Sequence, residues 1–275
     1  ADVRDNRYPT GIMTDKIIEQ IREAKDSDQP FFLTAGFSKP HLPFVAPQKY
    51  WDLYDADSLE MPHNYDFFPE NAPDSARSTW GELRSYGGVP KSGPVSDAMA
   101  KKLIHGYLAC VSYTDAMIGR LLDELEAQAL LDNTIIVLWG DHGFQLGAHS
   151  LWCKHTLFKT SMHAPLIISA PGYGSGQRVQ SLVEMVDIYP TLCELAGLEL
   201  PSHVQGKSLV PTMENPKSIH KRAIFGRYHA GETVRTSNFQ YSEWNHGGKM
   251  LYDHKKDPHE DINMVENPRY AKVVE

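Results

Sequence analysis

Two short apolar runs in this chain are each followed at once by ionisable residues. Residues 31–37 lead into Lys39-Pro40-His41, and residues 134–138 lead through Trp139-Gly140 into Asp141-His142. The second run is β-branched and does not alternate with polar residues, which is typical of a strand buried on both faces of a parallel sheet. Because ligands of open α/β sheets bind beyond the carboxyl ends of the strands, we expect both sites to share one crevice.

The remaining pattern predicts two amphipathic helices and a change of architecture near the end. Apolar residues, Val111 among them, recur at steps of three and four between residues 96 and 131, and a shorter helix is expected from Thr14 to Lys25. Residues 56–96 lack such a pattern and are rich in Pro and Gly, so we interpret them as an insertion that walls an active-site mouth. Past Pro201, short runs separated by turns predict an antiparallel sheet.

These elements predict an α/β fold in two parts. Residues 1–214 are expected to form an α/β domain around a mostly parallel central sheet. Residues 215–275 are expected to form a small C-terminal α+β subdomain with an antiparallel sheet. The length of 275 residues suits one large domain with such an appendage.

Composition narrows the class of function. The net charge of −8 argues against a general nucleic-acid binder, and it requires that any affinity for an acidic substrate be local. No apolar run approaches the roughly 18 residues of a membrane span, and the first residues are too polar for a signal peptide. The cysteines show no metal-binding or redox spacing, and Cys110 and Cys193 lie within helical apolar patterns that predict buried thiols.

The candidate chemistry lies in the two strand-end segments. Pro40 and Pro43 restrict the backbone around His41, and a stiff loop that holds an imidazole beyond a strand suits catalysis better than packing. Asp141 and His142 suit a divalent cation, for which the chemistry of an Asp–His pair alone ranks Zn²⁺ or Mn²⁺ above Ca²⁺. The alternative for this pair is a plain strand-to-helix turn, with Asp141 as the N-cap and His142 in solvent.

Two motifs together resemble one enzyme family. Lys-Pro-His-Leu-Pro-Phe at residues 39–44, with Gly-Asp-His-Gly-Phe-Gln-Leu-Gly-x-His at residues 140–149, is similar to the sulfatases of the alkaline phosphatase superfamily, and within them to the iduronate-2-sulfatase type. Further similar segments lie at residues 164–172, 186–197 and 251–258. The resemblance implies an alkaline-phosphatase-like sandwich that covers nearly the whole chain.

The resemblance also implies roles for individual residues. His41 would contact the sulfate and its leaving oxygen, and Lys154 would bind the sulfate, unless it is only a solvated helix lysine. His149 would touch the substrate or, alternatively, serve only as a hydrogen-bonding neighbour of the site. The implied sets are catalytic His41 and Lys154, the ligands Asp141 and His142 of one divalent metal ion, Ca²⁺ in this family, and the substrate contacts His149 and, weakly, Lys39.

The sequence departs from the family pattern in three places. The family makes its formylglycine nucleophile from the Cys of a Cys-x-Pro/Ala-x-Arg signature, and neither that signature nor an Asp-Asp pair of metal ligands occurs here. Ala148 also replaces the Glu that usually precedes His149. We therefore expect the chain to be an incomplete, inactive portion that matches the C-terminal two-thirds of a sulfatase. The formylglycine would lie in a missing N-terminal segment, which would be its structural partner.

The expected activity is hydrolysis of a sulfate ester on an acidic sugar, such as a 2-sulfated uronate in glycosaminoglycan degradation. The resemblance implies a periplasmic, secreted or lysosomal location. One alternative is a phosphodiesterase or phosphonate hydrolase of the same superfamily, which would use Thr or Ser with two metal ions. Another alternative is a non-catalytic protein that binds sulfated glycans, for which glycan binding without turnover would be diagnostic.

Overall fold

The computed structural model describes residues 3–27, 29–78 and 81–275. Packing divides the chain into two compact units. The first comprises Ala1–Pro62 and Glu82–Thr134, and the second comprises His63–Gly81 and Ile135–Glu275. Residues 79 and 80 of the predicted insertion lie outside the described residues. The domain boundary at residues 214 and 215 stays a prediction.

The first unit is built on three helices, α1 (Pro9–Lys25), α2 (Gln48–Trp51) and α3 (Asp97–Ala127). The Ser96 side chain accepts a hydrogen bond from the Met99 backbone N–H, so α3 begins close to its predicted start. Its core face passes through Cys110, Tyr113 and Met117, all at most 1% exposed. Val111 was predicted on this face but is 39% exposed, because the buried stripe follows the neighbouring positions instead.

Helix α1 begins at Pro9, earlier than the predicted start at Thr14. Proline suits the first turn of a helix because its missing N–H has no partner there in any case. The Gly11 N–H donates to the Tyr113 hydroxyl at 2.8 Å, so a contact with α3 supports the additional turn. Further along, the Arg22 guanidinium binds both oxygens of Glu124 on α3, each at 2.8 Å. Pro9 is itself a local signal for the start of α1, whereas the contacts with α3 could not be read from local sequence.

The prediction of a strand from the apolar run at residues 31–37 is wrong. Within the described residues this segment belongs to neither a helix nor a sheet, and Phe32 is 80% exposed. A strand exists only where a neighbouring segment satisfies its backbone hydrogen bonds, and an apolar run carries no information about that neighbour.

The second unit contains the other predicted strand, β1 (Ile136–Trp139), and then β2 (Gln145–Leu146), β3 (Trp152–Cys153) and β4 (Leu166–Ser169). Strand β1 pairs antiparallel with β4, where the sequence predicted a parallel neighbour. Trp139 is 50% exposed, so this strand is not buried on both faces either. The apolar run signalled the strand correctly, but the pairing direction depends on the connections between strands, which composition does not specify.

The antiparallel sheet predicted for the C-terminal part is confirmed. After α4 (Lys159–Met162), α5 (Ile188–Leu195) and α6 (Val210–Glu214), four strands pair antiparallel in chain order: β5 (Ala223–Tyr228), β6 (Gly231–Thr236), β7 (Phe239–Trp244) and β8 (Lys249–Asp253). Met250 and Tyr252 of β8 pack in a core cluster with Phe158, which anchors the segment before α4. The predicted buried thiols are also confirmed for Cys110 and Cys193. None of the helices in the described ranges is long and apolar enough to cross a bilayer.

Candidate active site

Asp141 and His142 lie in a tight turn that directly follows β1. The turn is held by backbone bonds from the Gly140 N–H to Pro165 O at 3.0 Å and from the Gly143 N–H to Ser161 O at 2.8 Å. A Cβ atom at Gly143 would lie 2.1 Å from Thr160 O, so only glycine permits this close approach. The glycines of the motif therefore fix the backbone that presents the two polar side chains.

The two side chains converge in a manner that suits a shared cation. His142 Nδ1 lies 2.7 Å from Gly143 O, so Nδ1 donates to this carbonyl and Nε2 remains for a ligand. Nε2 lies 3.6 Å from Asp141 Oδ2, and the Asp141 side chain is 85% exposed. An imidazole nitrogen and a carboxylate oxygen at this separation can bind one divalent ion together.

This pair supplies only part of a metal site. Within the described ranges, no group of three or more His, Cys, Asp or Glu side chains is arranged to hold a metal ion. Ca²⁺ takes about six to eight oxygen ligands, and this pair offers only the Asp141 carboxylate beside the His142 nitrogen. The residues present are compatible with the predicted ion but do not complete its coordination.

His149 is placed in the interior of the second unit. Its side chain is 1% exposed, its ring packs 4.5 Å from that of Phe158, and Nε2 lies 2.8 Å from His259 O. Burial lowers the pKa of His149, which favours the neutral ring. His149 and Ser150 both have positive φ, a strained conformation for non-glycine residues, so the surrounding contacts hold this turn in place. The predicted substrate contact of His149 and its alternative, a hydrogen-bonding neighbour of the site, both stay predictions.

Lys154 follows β3 directly and is half-buried. It lies in a bend between β3 and α4 rather than on a helix, which the alternative for this residue required. Its predicted role in sulfate binding stays a prediction.

The loop that carries His41 belongs to the first unit. The Lys39 ammonium donates to His41 O at 2.9 Å and to Pro43 O at 2.7 Å, which ties the loop to itself. Burial lowers the pKa of Lys39 below its usual value. The Tyr86 hydroxyl donates to Leu42 O at 3.2 Å. The stiffness predicted from the prolines is thus reinforced by a lysine that the sequence suggested only as a contact for substrate anions.

Glu82 contacts this loop, and the sequence analysis did not identify it. Its Oε1 lies 2.9 Å from His41 Nε2, and its side chain is only 13% exposed. On the other side of the ring, His41 Nδ1 lies 2.7 Å from Leu42 O. Glu82 comes from the segment interpreted as an insertion, and no periodicity or motif there marks it, because the contact is tertiary.

Comparison with known proteins gives two family matches. A profile described as Sulfatase matches residues 2–198, and one described as N-sulphoglucosamine sulphohydrolase, C-terminal, matches residues 147–275. A sulfatase of Formosa agariphila is 34% identical over 254 residues, covering 91% of this chain and 49% of the relative. Human iduronate 2-sulfatase is 31% identical over 231 residues, covering 73% of this chain and 42% of the relative. The chain thus spans about half the length of the curated relatives it matches.

Solved structures agree with the sequence matches. One, described as a complex with its substrate D-glucosamine-2-N,6-O-disulfate, has a TM-score of 0.82 at 25% identity and covers 97% of this chain and 67% of its own. The phosphonate monoester hydrolase of Silicibacter pomeroyi has a TM-score of 0.83 at 25% identity, covering 99% of this chain and 58% of its own. These likenesses confirm the predicted alkaline-phosphatase-like fold class.

Proposed function

Because the chain belongs to the sulfatase family, we propose that the full-length gene product hydrolyses a sulfate ester. The observation that carries this proposal is the turn after β1, where Asp141 Oδ2 and His142 Nε2 lie 3.6 Å apart and would act as two ligands for one cation. A cation there would offset the negative charge of a sulfate group and stabilise charge that develops in the transition state. In this proposal the ion is Ca²⁺, and the nucleophile is a formylglycine as in the resembled family.

The other residues of the proposed machinery act on the sulfate. Lys154 would bind a sulfuryl oxygen, and His41 would donate a proton to the leaving oxygen of the sugar. Lys39 would act on the loop mainly by holding the carbonyls of His41 and Pro43, with a weak attraction for the anion. His149 would hold the backbone turn that leads to Lys154. These assignments rest on the motif resemblance and on the positions of the side chains.

The proposed substrate is a sulfated acidic sugar, such as a 2-sulfated uronate of a glycosaminoglycan. Two findings support this class: the 31% identity to human iduronate 2-sulfatase, and the structural likeness to an enzyme solved with a glucosamine disulfate. A choline-sulfatase of Rhizobium meliloti is 31% identical over 264 residues, so choline sulfate is the competing candidate substrate. Choline is a cation, and a choline site needs aromatic side chains or carboxylates around the leaving group.

A second candidate is hydrolysis of a phosphonate monoester, which the TM-score of 0.83 to the Silicibacter pomeroyi hydrolase favours. Tetrahedral sulfate and phosphonate groups use the same kind of cation and hydrogen-bond donors, so the fold accommodates both. Both esters carry one negative charge at neutral pH, so kinetics rather than substrate charge must separate the two candidates.

The test uses the full-length gene product with Ca²⁺ and three substrates: a disaccharide with a uronate 2-sulfate, choline sulfate, and a phenyl phosphonate monoester. We expect the highest kcat/KM on the disaccharide. Asp141→Asn should abolish most of that activity, because it removes the charged cation ligand, whereas Asp132→Asn, an exposed change in the turn before β1, should have no effect. A higher kcat/KM on the phosphonate would replace the proposal with the second candidate. Binding of the disaccharide without any turnover would indicate a glycan-binding protein.

A further inference from the structure

On the second unit, the His63 ring contacts a carboxylate and two further aromatic rings. His63 Nε2 lies 2.7 Å from Asp261 Oδ2, and its ring stands edge-on to His259 at 4.4 Å and to Phe67 at 6.3 Å between centroids. We call His63, Phe67, His259 and Asp261 the His63 patch. The buried Asn64 side chain donates to Asp261 Oδ1 at 2.8 Å, so both oxygens of the carboxylate are held. These hydrogen bonds therefore fix the Asp261 carboxylate within the patch.

The three aromatic rings of the patch are exposed to solvent. The His63 side chain is 50% exposed, Phe67 is 40% exposed and His259 is exposed. Asp261 needs only one nitrogen of His63, and no residue of the described ranges makes a hydrogen bond to His63 Nδ1 or to the ring nitrogens of His259. A purely structural His–Asp pair does not require two further exposed rings around it. The arrangement leaves both an apolar surface and unused polar atoms for a ligand.

The hydrogen-bonding state of the patch defines the ligand chemistry. Burial raises the pKa of Asp261, but hydrogen bonds from His63 and Asn64 outweigh this and leave the pKa below its usual value, so the carboxylate is ionised. The Asp261 carboxylate accepts the Nε2–H of His63, which leaves Nδ1 available to a ligand. A ligand hydroxyl group that donates to His63 Nδ1 would complement this nitrogen. Hydroxyl groups on one edge and an apolar C–H face for Phe67 are the features of a sugar ring.

The patch is joined to the segment that carries Lys154. His149 Nε2 lies 2.8 Å from His259 O and 3.9 Å from Asp261 Oδ1. The neighbouring Glu260 carboxylate accepts the Lys159 backbone N–H at 2.8 Å, just beyond Lys154 along the chain. We propose that the His63 patch binds the hydroxyl groups of a second sugar, next to the sugar whose sulfate is removed. This inference rests on the proposed function, since it assigns a neighbouring sugar to the same substrate.

The kinetic test compares two substrates of the full-length gene product. One is the uronate 2-sulfate disaccharide, which has a second sugar, and the other is 4-nitrophenyl sulfate, which has none. We expect His63→Ala and Phe67→Ala each to raise KM for the disaccharide about five- to tenfold, the effect of one lost contact, and to leave kcat within about twofold. Neither variant should change KM for 4-nitrophenyl sulfate. His246→Ala, at an exposed histidine in the turn between β7 and β8, is the matched control.

Other kinetic outcomes overturn the inference. An equal loss on both substrates would show that His63 acts only through Asp261 and His149 on the sulfate-binding segment. An unchanged KM on the disaccharide would show that the patch does not meet the sugar.

A binding measurement separates this inference from the proposed function. Saturation-transfer NMR of the same disaccharide, without its sulfate, detects sugar contact in the absence of turnover. Signals that are lost in His63→Ala but kept in His246→Ala support the sugar site even if no sulfate ester is hydrolysed. A different result would overturn the sugar site alone: the sulfated disaccharide is hydrolysed, but the NMR signals are equal in wild type and His63→Ala. The proposed function would then still hold.

Discussion

His41 is held between two hydrogen-bond acceptors, Leu42 O at 2.7 Å from Nδ1 and Glu82 Oε1 at 2.9 Å from Nε2. A general acid must be held in a fixed orientation before it can donate to a leaving group. Glu82 and the Leu42 carbonyl therefore orient the His41 ring.

Replacing His41 tests its role as the acid. His41→Ala should lower kcat of the full-length gene product on a sugar sulfate by about 10²- to 10⁴-fold, the range for a positioned acid. Stability should change little, because the side chain is 43% exposed and contributes little to the core. Steady-state kinetics and thermal unfolding measure the two effects. Wild-type turnover in the variant would remove His41 from the mechanism.

Replacing Glu82 tests whether this carboxylate assists or obstructs the imidazole. Glu82→Ala should lower kcat about tenfold with KM nearly unchanged, because the ring loses one of its two orienting contacts. Glu82→Gln keeps an oxygen acceptor and should retain more of the activity than the alanine variant. The opposite sign, a higher kcat in Glu82→Ala, would mean that Glu82 blocks the nitrogen that meets the substrate.

At the scale of single residues, the sequence predicted the candidate site residues that have prolines or glycines close by in the chain. Pro40 and Pro43 marked His41, and the glycines marked Asp141 and His142. The structure has a physical reason for each, such as the 2.1 Å approach to Thr160 O that only Gly143 permits. Glu82 could not be found in this way, because its partner is distant in sequence and the segment between them has no regular pattern.

At the scale of elements, periodicity was reliable where an element satisfies its own hydrogen bonds. Helix α3 could be predicted because its backbone bonds are internal and its apolar stripe repeats over many turns. The run at residues 31–37 looked as much like a strand as β1 did, but only β1 has a partner among the described residues. Strand formation depends on segments elsewhere in the chain, so hydrophobic runs alone could not separate the two cases.

The pairing of α1 with α3 should give stability a defined pH dependence. Hydrogen bonds from Arg22 and then Gln128 lower the pKa of Glu124 from 4.5 to about 2. A depressed carboxyl pKa stabilises the folded state above the unfolded-state value, and this contribution is lost as the pH falls from about 4.5 through 2. Glu124→Gln should therefore lower Tm most at pH 5 and above, with the difference shrinking toward pH 2. Glu126→Gln, exposed on the same helix, is the control, and a Tm difference independent of pH would contradict the assignment.

Asp187 is the polar centre of the region before α5. Its oxygens accept the backbone N–H groups of Glu184 and Lys207, each at 2.9 Å, and the Lys221 ammonium at 2.7 Å. Asp is a common N-cap residue, and Asp187 directly precedes α5. It does occupy the N-cap position, but its side chain bonds these other segments instead of the helix N–H groups. Burial raises the pKa of Asp187, yet the bonds from Lys221 and the two backbone groups keep it below the usual value.

Removing this charge should be costly. Asp187→Asn leaves Lys221, 12% exposed, with Glu184 as its remaining carboxylate partner. Breaking a buried pair on one side costs about 3–5 kcal/mol, and the Glu184 contact should keep the loss near the lower end. Urea unfolding measures the change, with the exposed Glu199→Gln as the control. A loss below about 1 kcal/mol would show that the pair is dispensable for folding.

At the scale of the whole molecule, the fold class was predictable and the strand arrangement was not. The spacing of the two motifs and of the later segments is specific to a family, so the alkaline-phosphatase-like class could be inferred without any knowledge of packing. Composition gave only limits, such as the net charge of −8 that makes any anion affinity local. The direction of the β1–β4 pairing is set by the course of the connections through space, for which the sequence has no simple signature.

The last prediction concerns a polypeptide of these 275 residues by itself. It should not hydrolyse 4-nitrophenyl sulfate, because all three cysteines are buried and none has the formylglycine signature. Burial raises the pKa of the Cys110 thiol to about 11, so that thiol is not a nucleophile at neutral pH either. Ca²⁺ should bind more weakly than about 1 mM, since Asp141 and His142 supply only two ligands.

Isothermal titration with Ca²⁺ and an aryl sulfatase assay, both repeated on the full-length gene product, measure these two properties. We expect tight binding and turnover only if further residues complete the site, and Asp141→Asn should then abolish both. The exposed Asp132→Asn change serves again as the control. Metal-dependent turnover by the 275-residue polypeptide would mean that a residue within it acts as the nucleophile, and micromolar Ca²⁺ binding that survives Asp141→Asn would place the ion elsewhere.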